Sequence, residues 1–238
     1  MAWQHKPIPP RERLIFALDV ATAGEARRWI ERLGDAVAFY KLGMELLTSG
    51  DYFTVLRELD RYDKQVFVDL KFLDVPATVA AAVRGLTRYP VSLCTLHFSN
   101  RAMLEAAAAA KGQIRLLAVT VLTSFDQADL GELGIATPLA ELVPQRARVV
   151  LEAGLDGVVC SGQEVARLRA EVDPRLLTVC PGIRPAAAAD DQKRTVDVAS
   201  AFAAGADYIV VGRPIRQAAD PRAAAEAIQA SIAAAVGG

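Results

Sequence analysis

Histidine and cysteine are scarce in this sequence. The two histidines, His5 and His97, lie far apart, and the three cysteines are Cys94, Cys160 and Cys180. No Cys/His spacing suited to zinc can be drawn from them. Each thiol falls inside or at the end of an apolar run, so the three read as buried and reduced. That suits a cytosolic protein better than a disulfide framework. Long apolar runs are missing too: none approaches the ~20 residues of a membrane span, and no signal-peptide pattern is seen. Neither sign of charge dominates. The 27 Lys+Arg and 28 Asp+Glu leave a formal net charge of -1, which gives no general reason to expect nucleic-acid or membrane-surface binding.

What is present is a long, apolar, evenly punctuated chain. Its 238 residues, 53% of them hydrophobic, can bury a sizeable core and argue against disorder. Residues 1–12 are polar, with Pro7, Pro9 and Pro10, and are expected to form a flexible N-terminal segment. No linker divides residues 13–238, which are expected to form one domain. Short apolar runs recur at Leu14–Asp19, Val37–Leu42, Gln65–Lys71, Ser92–His97, Arg115–Leu122, Gly157–Cys160, Leu177–Cys180 and Tyr208–Gly212. Ala-, Leu- and Arg-rich helical segments such as Gly24–Leu33, Met44–Asp60 and Thr78–Arg88 separate them. Residues 123–140 read as a loop with a short helix. Eight strand–helix pairs predict a single-domain α/β protein, a (β/α)8 TIM barrel. Periodicity cannot show closure, so a doubly wound sheet stays open as the alternative.

In such a barrel the site lies where strands finish. The polar residues there are Asp19, Lys41, Asp69, Lys71, His97, Thr123, Arg184 and Arg213. The stretch "VFVDLKFLDVP" is the most unusual, because an apolar strand ends in Asp69 and Lys71 and then Asp74. Burying such charges is expensive unless they are paired. Residues two apart share one side of a strand, so Asp69 and Lys71 are either a functional pair or a structural ion pair. Asp74 is either a functional acid or a helix N-cap before Pro76. Late in the chain, "CPGIRP" and "VVGRPI" follow the seventh and eighth strands, where barrels grip phosphate with backbone N–H groups and a cation. Gly182 and Gly212 allow close approach, and Arg184 and Arg213 supply forked donors. Ordinary Gly/Pro turns with surface arginines are the bland alternative.

From Leu14 to about Ile215 the chain resembles the orotidine 5'-phosphate decarboxylase family, in its bacterial short-chain form. "DLKFLDVPAT" is similar to the family's D-x-K-x-x-D signature. "LDV", "YKLG", "VTVLTS", "PGIRP", "DDQKR" and "VGRPI" follow in family order. The chain departs from the family at Leu73, commonly His, and Ala77, commonly Asn. The resemblance implies decarboxylation of orotidine 5'-phosphate to uridine 5'-phosphate in the cytoplasm, by a homodimer with no metal or organic cofactor. It implies Lys71, Asp69, Asp74 and Lys41 as catalytic residues. It also implies substrate contacts from Asp19, Lys41, Thr78, Thr123, Arg184, Gln192, Gly212 and Arg213. Asp74 and Thr78 would complete the partner subunit's site. Lys71 would place its cation at C6 of the pyrimidine and donate the proton there.

Two other readings compete. A sugar-phosphate decarboxylase of the 3-keto-L-gulonate 6-phosphate type shares the D-x-K-x-x-D strand and uses Mg2+. It carries an acid ligand where this chain has Lys41, and a cation there repels Mg2+. A non-catalytic nucleotide-binding barrel would lack one of the acids or the lysine, and none is missing.

Overall fold

A computed structural model describes residues 5–184 and 194–237. The strands are β1 (Leu14–Ala17), β2 (Phe39–Leu42), β3 (Gln65–Phe72), β4 (Leu93–His97), β5 (Arg115–Val119), β6 (Gly157–Val159), β7 (Leu177–Cys180) and β8 (Tyr208–Val211). All pair in parallel in chain order. β8 returns to β1, with Phe16 opposite Val211, so the sheet is a closed barrel rather than a doubly wound sheet.

The helices are α1 (Ala23–Leu33), α2 (Met44–Thr48), α3 (Tyr52–Arg61), α4 (Pro76–Leu86), α5 (Arg101–Ala110), α6 (Gln127–Glu132), α7 (Leu139–Glu152), α8 (Val165–Glu171), α9 (Val198–Ala203), α10 (Arg213–Arg216) and α11 (Pro221–Val236). No helix of the described residues is long and apolar enough to cross a membrane. The segment read as one helix over Met44–Asp60 is two. α2 stops at "SG", where Ser49 Oγ donates to Leu46 O and Gly50 takes φ +86, the left-handed turn that ends helices.

Alternation along the strands builds two apolar layers. Ile15, Phe39, Phe67, Leu93, Leu117 and Tyr208 fill the barrel. Phe16, Tyr40, Val68, Leu116 and Ile209 face the helices. Cys94, Cys160 and Cys180 are free and buried in that outer layer, as their apolar settings predict.

A charged cluster lies below the strands, next to the start of β8. Asp207 is fully buried. It pairs with Lys6 at 2.9 Å and Arg169 at 2.7 Å, and accepts from the Thr178 N–H at 2.9 Å. Arg13, also buried, donates to the carbonyls of Lys6, Ile8 and Asp207. Through these bonds residues 6–8, within the stretch expected to be loose, rest against the barrel.

Candidate active site

β2 and β3 lie side by side, with Lys41 opposite Phe67. Lys41 therefore leaves the sheet beside the end of β3. Its ammonium is 2.9 Å from Asp19 Oδ1 and 3.5 Å from Asp69 Oδ2. Lys71 Nζ lies 2.9 Å from Asp69 Oδ1. The four side chains form a row, Asp19–Lys41–Asp69–Lys71, in which each charge touches one of opposite sign. Gly43 sits against this row. A Cβ there would come within 3.2 Å of both Asp19 Oδ1 and Lys41 Nζ, so the glycine of "YKLG" lets the row pack here without either end shifting.

The row is strongly coupled. Burial pushes the Asp69 carboxyl up, but Lys41 and Lys71 outweigh it and hold the group below the ordinary carboxylate range. Burial likewise pulls the Lys41 ammonium down, and Asp69 and Asp19 together raise it above its ordinary value. Both groups are charged at neutral pH.

Asp69 and Lys71 meet on one face of β3, as their spacing of two implies, although the strand is irregular there. The pairing of β3 with β4 shifts between Val68 and Phe72, and Lys71 adopts φ +51. The irregularity carries both residues to the mouth of a cavity of about 210 Å³. Lys41, Asp69, Lys71 and Thr123 supply its polar wall, while Phe67, Val119, Val159 and Val210 supply an apolar one. Ligand sites of this kind are mostly apolar, with a few placed polar groups.

The remaining expected site residues fall elsewhere. Arg213 opens α10, with Gly212 at its N-cap position. It lines an open groove together with Asp19, Glu45 and Arg216, and Asp19, paired with Lys41, joins that groove to the cavity. Arg184 is buried; its backbone N–H donates to Val196 O and its guanidinium to Ile183 O, and it does not line the cavity before Lys71. His97, at the end of β4, has Nδ1 3.2 Å from the Phe98 carbonyl oxygen. Gln192 lies outside the described residues.

Asp74 and Thr78 are exposed and line no part of this chain's cavity. The N-cap position of α4 is Val75, so Asp74 is not the cap; its Oδ1 accepts from the Val75 N–H. No ion pair of Asp74 occurs among the described residues.

Thr95, on β4, was not legible as a site residue. It donates to Asp69 Oδ1 at 2.9 Å and accepts from the Lys71 N–H at 3.0 Å. One threonine in "LCTLH" looks like ordinary strand material. Its only signal is that it sits two before His97, on the same inward face. Arg216, which donates to the Asp19 carbonyl, also went unread.

Fold and site define a barrel enzyme that works at the C-terminal ends of its strands. Within that class, the chain belongs to the orotidine 5'-phosphate decarboxylase / HUMPS family, which matches residues 12–228. It is 58% identical over 233 residues to the orotidine 5'-phosphate decarboxylase of Xanthomonas oryzae pv. oryzae (strain PXO99A), covering 97% of this chain and 96% of that one. It is also 58% identical over 234 residues to the Stenotrophomonas maltophilia (strain K279a) protein of the same name, covering 97% of each. The crystal structure of orotidine 5'-phosphate decarboxylase from Lactobacillus acidophilus superposes with a TM-score of 0.81 at 33% identity, covering 93% of this chain and 99% of that one.

Proposed function

We propose that this chain decarboxylates orotidine 5'-phosphate to uridine 5'-phosphate and CO2 in the cytoplasm, the last step of de novo pyrimidine nucleotide synthesis. It does so as a homodimer without metal or organic cofactor. The observation that carries this reading is a half-buried, ionised Asp69 held between the ammoniums of Lys41 and Lys71 at the polar wall of a cavity whose other wall is apolar. Near-full-length similarity to proteins named for this reaction supports it.

Losing CO2 from C6 of the pyrimidine leaves an electron pair that the ring delocalises poorly. A fixed cation at C6 stabilises that charge, and an ammonium can then hand over its proton, giving C6–H and neutral amine. Lys71 takes this role. Its partner Asp69 is anchored, so the charges are arranged before the substrate arrives and need little reorganisation in the transition state. Asp69 also faces the substrate carboxylate. Asp19 and Lys41 contact the ribose, and Thr123 holds the pyrimidine edge. Gly212, Arg213 and Gln192 hold the phosphate, with Arg184 nearby. Binding energy from that remote phosphate lowers the barrier at C6. Asp74 and Thr78, exposed here, reach the partner subunit's site, where Asp74 extends the row beyond Lys71.

Loss of orotidine 5'-phosphate absorbance tests the reading. Turnover should be the same with and without EDTA. No turnover sinks the proposal. Turnover lost on chelation and restored by Mg2+ favours the sugar-phosphate alternative.

A further inference from the structure

The irregularity in β3 has a single counterpart in β4. Val68 pairs with Cys94 and Phe72 with Leu96, so Thr95 alone faces Asp69, Leu70 and Lys71. The ladder is interrupted there. Backbone polar groups freed this way need other partners when water is scarce. The Thr95 hydroxyl is one, accepting from the Lys71 N–H while donating its proton to Asp69 Oδ1. A hydroxyl has one proton and two lone pairs, so both bonds form together.

Thr95 is fully buried and alternates with Cys94 and Leu96 of the outer layer, so it points into the barrel. It does not line the cavity. Lys71 is a non-glycine residue in the left-handed region, a conformation that costs roughly 1–2 kcal/mol and persists only where neighbours enforce it. Asp69 has one oxygen on Lys71 and the other on Lys41, and Thr95 holds the first.

We infer that Thr95 is a positioning residue for the reaction: its hydroxyl clamps the β3 irregularity and sets how the Asp69 carboxylate and Lys71 ammonium face the substrate. The inference rests on the proposed decarboxylation. Because Thr95 bonds the Asp69 carboxylate and the Lys71 backbone N–H and does not line the cavity, its loss acts on turnover more than on binding.

Thr95→Val keeps the shape and removes the hydroxyl, and Thr95→Ser returns it. For Thr95→Val, kcat on orotidine 5'-phosphate should fall roughly ten- to a hundredfold, the worth of a hydrogen bond to a charged group. KM and the affinity for uridine 5'-phosphate should stay within about threefold. Thr95→Ser should recover most of kcat. In hydrogen exchange, the Lys71 amide of the Val variant should exchange at least about tenfold faster.

Unchanged kcat with unchanged Lys71 exchange overturns the inference. So does a joint loss of kcat, KM and product affinity that Ser does not repair, since that is a general structural defect. If the Val variant does not fold, Thr95→Cys, with a weak donor of similar size, takes its place in the same measurements. Absence of turnover in the unaltered protein would refute the decarboxylase reading instead, and the exchange comparison alone would then decide whether Thr95 clamps β3.

Discussion

The barrel has an ionic cluster at each end, one buried and one half-buried, and the two are built for different purposes. At the N-terminal end Asp207 is fully enclosed, bonded to Lys6 and Arg169 and to the Thr178 backbone. Its ligands come from the N-terminal segment, α8 and β7, so the cluster ties distant parts of one chain together. At the C-terminal end, Asp69 and Lys71 ride on an irregular strand with Lys71 in a strained backbone conformation, and both face a cavity. Equally close contacts thus serve two ends. An enclosed, satisfied cluster holds the fold. An open one at a strained backbone stores charge where a substrate can meet it.

The sharpest way to separate the two is Lys71→Ala. Turnover should fall at least about a thousandfold, ~4 kcal/mol on the barrier, while urea unfolding changes by less than about 0.5 kcal/mol. A rate within about tenfold of the unaltered protein would mean Lys71 is not the proton donor.

The converse variant is Asp207→Asn. It leaves Lys6 and Arg169 without their shared counter-charge, a change that costs about 3–5 kcal/mol in a buried pair. Turnover per folded molecule should stay close to that of the unaltered protein. If stability holds and turnover drops, the cluster below the barrel is coupled to the site and the contrast fails.

A milder test asks whether each cluster is complete in one chain. The upper row ends at Lys71, and Asp74 stands exposed on the same chain. Inactive Lys71→Ala and Asp74→Ala subunits, mixed under exchange, should form about half mixed dimers, each with one intact site. That gives roughly a quarter of full activity if the sites are independent. Asp207→Asn should gain nothing from such mixing. Continued inactivity, with subunit exchange confirmed by mass spectrometry, would place Asp74 in its own chain's chemistry or in none.

Much of this molecule was legible in its sequence. Hydrophobic runs of strand length separated by helical patterns determined eight strand–helix units, because local periodicity decides which faces must be buried. Lys41, Asp69 and Lys71 stood out because charge at the end of an apolar strand needs a reason. Closure was not legible, since the pairing of β1 with β8 joins residues near opposite ends of the chain. Neither was the tie from Asp207 to Lys6, nor the break at Gly50 in what reads as one helix.

The site itself divides the same way. Composition and spacing supplied its charges, and simple alternation placed Asp69 and Lys71 on one face. Only the tertiary structure set an irregular β3 against Thr95 and gave Lys71 its left-handed backbone. It also set Arg213 in a groove that adjoins the Lys71 cavity across the Asp19–Lys41 pair. Which residues carry charge is a property of the chain alone. Which charges touch depends on strand register, which is settled when distant segments pack together.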